Sequence, residues 1–173
     1  PFDEDAFVDA LRRRRVMITS CPYLHVRTGG GEGPGDLARA TAEGKVPLSV
    51  TVRQATFCKA TQVRILVGGD VAETLTIPDG TAVFDWSGMA AVPDHDSWIG
   101  VDVLGTAPLP TELSGDWHLG VAGGMLPAAM INPILVDRDG DGRYGVGGAA
   151  KKPGVDVPAS AARKPPAGTQ PWP

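Results

Sequence analysis

A chain of 173 residues is long enough to fold as one domain around a real hydrophobic core. At 42% hydrophobic and 21% charged residues it has a globular composition, which excludes a disordered chain. The net charge of −4 offers no basic face for nucleic acid, and no apolar run approaches the ~20 residues that span a bilayer.

Glycine (23 residues) and proline (16) together far exceed their usual combined share of roughly 12%, as many turns between short strands would require. The chain opens on Pro1-Phe2-Asp3-Glu4-Asp5, with neither initiator methionine nor signal peptide, as a mature or processed chain would. Asp3, Glu4 and Asp5 ahead of Phe7, Ala10 and Leu11, with arginines at 12–15, predict a helix whose end charges complement its dipole. Phe7 and Leu11 are four apart and share a face of that helix. The four arginines fit a solvated helix end better than a phosphate grip, because the run is short and isolated.

Short β-prone runs follow at 16–19 and 23–26, and then the glycine-rich stretch 29–36. That stretch reads as a surface turn: Pro34 removes a donor, and no GKS or GKT follows as a phosphate loop would need. From residue 47 the pattern becomes β, beginning with period-two alternation in Leu48-Ser49-Val50-Thr51-Val52-Arg53. Further strands are expected at 63–67, 71–77, 81–86 and 96–104, the last presenting Ile99, Val101 and Val103 on one face. Weaker strand signals lie at 117–121 and 131–136. Short strands without intervening helices predict a mainly β fold, an Ig-like antiparallel sandwich preceded by an N-terminal helix and short strands. Residues 151–173, rich in proline, alanine and lysine, are expected to form an extended tail.

The sharpest chemical signal is Asp137-Arg138-Asp139-Gly140-Asp141-Gly142. Alternate carboxylates with glycines that permit a tight turn can converge on a hard cation, which makes Asp137, Asp139 and Asp141 candidate calcium ligands. An EF-hand would close with glutamate at the twelfth position, but Gly148 stands there, so a metal-free acidic turn remains the other reading. His25, His95 and His118 lie far apart without metal-ligand spacing, and Asp94-His95-Asp96 is at most a weak metal motif. No nucleophile elbow is present, and an isolated Cys21–His25 pair is a poor basis for nucleophilic catalysis. Cys21 and Cys58 are compatible with a disulfide in an exported protein or with two separate buried thiols. Trp86, Trp98 and Trp117 fit core packing or a sheet edge, with an exposed sugar-binding platform as the less favoured reading.

Ala10-Leu11, Arg15 and Thr19-Ser20-Cys21-Pro22, followed by the GPGD at 33–36, DSWIGVDV at 96–103 and INPILVDRDGDG at 131–142, resemble the end of PHP-domain metallohydrolases. The similarity is to the carbaryl-hydrolase-like group and runs over residues 6–145. Arg14 stands where that family often has glycine, and Cys21 replaces a glycine of the turn. The family's metal-binding motifs lie upstream of the matching region and are absent here, so the resemblance implies a C-terminal module without catalytic residues of its own. Three segments are expected: 1–44 resembling the end of a PHP domain, a sandwich at 45–148, and the tail from 149. The resemblance implies an accessory module packed on a catalytic half or another protein subunit. A structural subunit of a larger assembly and a calcium-dependent surface or carbohydrate-binding module are the alternatives. The loop-rich sandwich and the calcium-like loop favour a periplasmic or extracellular location.

Overall fold

The structure, a computed structural model, describes residues 2–114 and 124–145. The expected strand at 117–121, His118, Trp117 and the tail lie outside these residues. In chain order the elements are α1 (Glu4–Arg12), β1 (Met17–Thr19), β2 (Tyr23–Thr28), β3 (Leu37–Arg39), β4 (Lys45–Arg53) and β5 (Ala60–Val67). They continue with β6 (Asp70–Thr76), β7 (Val83–Ala91), β8 (Ser97–Gly105), α2 (Thr111–Ser114), β9 (Ala128–Ile131) and β10 (Ile134–Asp137).

The fold is mainly β, a sandwich of two packed sheets behind an N-terminal helix, as the alternation pattern predicts. The smaller sheet runs β2-β4-β7 and is antiparallel throughout. In the larger sheet β8 pairs along one edge with β5, which in turn pairs with β6. Its other edge is shared end to end by β10 and β9. Beyond them β1 pairs with β9, and β3 pairs with β10 in parallel, the one departure from antiparallel order among the described strands. Strands on both sides of residue 45 thus build the same two sheets. The single strand expected at 131–136 is two, because Pro133 has no N–H to donate and interrupts the ladder at Asn132-Pro133.

Period-two alternation turns one row of each strand inward. Val46, Leu48, Val50 and Val52 of β4 are buried, while their neighbours face solvent. Val63 and Ile65 of β5 and Ile99, Val101 and Val103 of β8 meet them from the other sheet in one continuous core. β8 also has little exposure on its outward row. Asp102 there is 7% exposed and takes a two-pronged hydrogen bond from Arg64 of β5, at 2.9 Å from Nε and 2.5 Å from Nη2. Burying that carboxylate is tolerable because the guanidinium fork pairs with both of its oxygens.

α1 begins where Asp3 accepts a hydrogen bond from the Ala6 N–H at 3.0 Å, an N-cap that satisfies one orphan donor. It ends with Arg15 N–H donating to Ala10 O and Arg14 N–H to Leu11 O, the Schellman pattern. That pattern needs a left-handed residue, and Arg14 fills the position at φ 60°. Glycine, with no Cβ to clash, would hold this position without the strain that Arg14 carries there.

Two outcomes test this account by chemical denaturation. Arg14→Gly should raise stability by roughly 0.5–1 kcal/mol by relieving the left-handed strain. Ile65→Ala, by opening a cavity between the sheets, should cost about 2–5 kcal/mol.

Candidate metal centre

The acidic loop is placed by the pairing of β8 with β10. Ser97 stands opposite Val136, so continuing the register outward sets Asp96 opposite Asp137 where the ladder ends. One carboxylate oxygen from each of Asp96, Asp137 and Asp139 lies within 4.8 Å of the others. Among the described residues this is the group of three or more acidic, histidine or cysteine side chains that converges. Asp141 is not part of it; its Oδ1 accepts the Arg143 N–H at 2.8 Å. Asp96 enters from 41 residues upstream of Asp137, a distance in sequence that spacing rules for a local loop cannot bridge. The pairing register of its strand is the signal that finds it.

The loop's own backbone holds these carboxylates. Asp137, 4% exposed, accepts N–H groups from Gly140 at 2.6 Å and Gly142 at 2.9 Å. Both glycines have φ +79°, a backbone conformation that would strain any other residue, so the turn depends on them. Asp96 accepts from Arg138 N–H at 2.8 Å and from Gly145 N–H at 2.6 Å, which ties the loop to the start of β8. Asp139 accepts from Asp141 N–H at 3.1 Å. Among the described residues none of the ion pairs reaches Asp96, Asp137 or Asp139.

The donor set fits a hard cation. It is all oxygen, it carries three negative charges, and each carboxylate oxygen keeps a lone pair after accepting one N–H. Asp96, just ahead of β8, supplies a carboxylate of the kind that the twelfth loop position lacks. Calcium would still need carbonyls or water to reach its usual six to eight oxygens. Nitrogen and sulfur ligands that would favour zinc do not converge here among the described residues.

The remaining sequence candidates are dispersed. His95 is exposed and lies 3.4 Å from Asp94, outside the cluster. His25 lies with Arg15, Tyr23, Arg27 and Asp36 along a shallow groove of about 370 Å³ beside β2. Burial there would raise the Asp36 pKa, but the Gly33 N–H and the charges of Arg15 and Arg27 outweigh it and hold the carboxyl below its ordinary value. Arg15 is thereby engaged in a 2.9 Å ion pair with Asp36. The glycine-rich stretch is a turn, as its composition predicts, closed by Thr28 N–H donating to Glu32 O. Trp86 and Trp98 are half-buried, Trp86 against the core and Trp98 on the outward row of β8.

Comparison with protein-family models, with curated proteins and with solved structures finds no match.

In calcium at about a hundredfold excess over Kd, thermal unfolding should report a stabilisation of about 2.7 kcal/mol over the chelated protein. Asp139→Asn should abolish that gain while leaving the chelated protein nearly unchanged. Asp137→Ala should instead cost about 1–3 kcal/mol in chelator, because two part-buried N–H groups lose their acceptor. A melting temperature indifferent to calcium would assign the loop to the metal-free reading.

Proposed function

We propose that this chain is a noncatalytic β-sandwich module that packs on a folded protein partner through its N-terminal helix and the outer face of its larger sheet. The observation that carries this reading is α1. The helix is amphipathic by sequence yet buries none of its residues, leaving Phe7 50% and Leu11 48% exposed. An apolar helix face gains its stability from tertiary packing, which the described residues do not supply. Phe2 packs its ring on Phe7 at 5.5 Å between centroids and extends the same apolar surface.

The larger sheet adds a second apolar surface. Its outward row across β8, β9 and β1 sets Asp102 opposite Met130, and Met130 opposite Ile18, which is 67% exposed. Nearby, outward-facing Trp98 stands opposite Leu135, and Leu135 opposite Leu37, all half-buried. A two-layer sandwich with water on its outer face would place polar residues there. Apolar residues on such a face, here flanking the Arg64–Asp102 pair, suit a surface that another protein covers.

The sequence resemblance points to the catalytic half of a PHP-type metallohydrolase as that partner. The metal-binding residues would then reside in the partner, in keeping with the dispersed histidines of this chain. No helix of the described residues is long and apolar enough to cross a membrane. A structural subunit of a different assembly would use the same surfaces.

A second reading, a calcium-dependent surface or carbohydrate-binding module, is favoured by one specific observation. Asp96, Asp137 and Asp139 gather at the end of β8, two residues from Trp98. Calcium would order the loop there, and a tryptophan two residues along the chain is the kind of side chain that stacks on a sugar ring.

Purification under native conditions, followed by intact-mass analysis of everything that travels with the chain, separates these readings. A stoichiometric companion rich in clustered histidines and carboxylates is expected, and it should be released by Phe7→Asp with Leu11→Asp at little cost to the melting temperature. Unrelated companions would retire the hydrolase partner. Calcium-dependent retention on glycans without any companion would favour the second reading.

A further inference from the structure

β1 and β2 lie in different sheets, and so do β4 and β5. The chain therefore crosses between sheets at residues 20–22 and again at residues 54–59. Tyr23 pairs with Arg53, so the two crossings leave the smaller sheet side by side at the same end. Each crossing carries one of the two cysteines: half-buried Cys21 in the first, buried Cys58 in the second. The side-by-side crossings set the two thiols near one another, and Cys21 is among the neighbours that raise the Cys58 pKa.

Both backbones are held in that arrangement. Cys21 N–H donates to Thr19 Oγ1 at 3.0 Å, and the same hydroxyl donates to Pro22 O at 2.6 Å. Cys58 N–H donates to Ala55 O at 2.9 Å, which closes the second turn. Gln54 braces that turn further, its Oε1 accepting Ala60 N–H at 2.9 Å and its amide donating to Thr81 O at 2.9 Å.

We propose that Cys21 and Cys58 are a redox pair, forming a reversible disulfide that staples the two sheet-to-sheet crossings together. The oxidant is a disulfide of the glutathione class or the active-site disulfide of a protein oxidoreductase, reacting by thiol–disulfide exchange. Cys21 attacks first, because it is the more exposed of the two. Its thiolate displaces one donor sulfur, leaving a mixed disulfide on Cys21 and a free donor thiol. Cys58 then gives up its proton and attacks the Cys21 sulfur, releasing the second donor thiol. Two protein thiols are oxidised, one donor disulfide is reduced, and the protons end on the two released thiols.

The environment of Cys58 fits the second of these roles. Burial, and then the neighbouring Cys21 thiol, push its pKa up to about 12. A thiol held protonated in this way reacts poorly with a reagent in solution. It can still resolve a mixed disulfide formed on its immediate neighbour.

The test equilibrates the full chain in mixtures of reduced and oxidised glutathione, quenches in acid, and maps alkylated peptides by mass. A cross-linked peptide joining Cys21 to Cys58, lighter than the dithiol form by two hydrogen atoms, is the expected product. The oxidised protein should melt higher than the reduced one, by on the order of 10 °C for a closed loop of roughly 40 residues. Dithiothreitol should reverse both changes. Cys58→Ala should accumulate a stable glutathione adduct on Cys21. Free thiols in the most oxidising mixture, or an equal adduct on Cys21 in the wild type and in Cys58→Ala, would overturn the proposal. A disulfide that lowered the melting temperature would overturn the staple.

Discussion

β8 is the strand on which the other parts of the larger sheet are registered. Its nine residues are hydrogen-bonded along one edge to β5, and along the other to β10 and then β9. Its inward row, Ile99, Val101 and Val103, fills the space between the sheets, and its outward row is nearly as enclosed. Because a slip of one residue would exchange these two rows, core packing fixes the register of β8 against three neighbours at once. Register then decides everything peripheral: Asp96 falls opposite Asp137, and Met130 falls between Asp102 and Ile18.

Much of this architecture was legible in the residues themselves. Alternation in β4 and the face shared by Ile99, Val101 and Val103 identify two of the strands that build the core from opposite sheets. α1 is announced by acids before it and arginines after it, and the structure adds the Asp3 cap and the left-handed Arg14. Less was legible where pairing, not pattern, creates the strand. β3 is three residues long and owes its conformation to β10, about 100 residues away in sequence. The division of β9 from β10 rests on the missing N–H of Pro133, and β7 continues to Ala91 because β4 runs beside it over its whole length.

The acidic loop divides in the same manner. Its turn chemistry is local, so Asp137, Asp139, Gly140 and Gly142 reveal it directly. The third carboxylate of the cluster comes from the residue just ahead of β8, and Asp141, fully regular in spacing, points its hydrogen bonding elsewhere. The thiols follow the same logic, since nothing in the spacing of Cys21 and Cys58 makes them neighbours. Two chain crossings at one end of a sandwich do. Local sequence thus specifies turns and faces, while the chemistry of both candidate sites arises from segments joined by sheet topology.

The pairing of β1 with β9 and of β3 with β10 has a consequence for how the molecule is made. Met17 meets Ile131 and Leu37 meets Leu135, so the partners of these early strands are among the last parts of the sandwich to be synthesised. At translation rates of about 5–20 residues per second, the strands wait on the order of ten seconds outside the ribosome. During that interval the β2-β4-β7 sheet can close, but β1 and β3 carry unpaired backbone edges that invite foreign strands. The brevity of both, three residues each, keeps that exposure small.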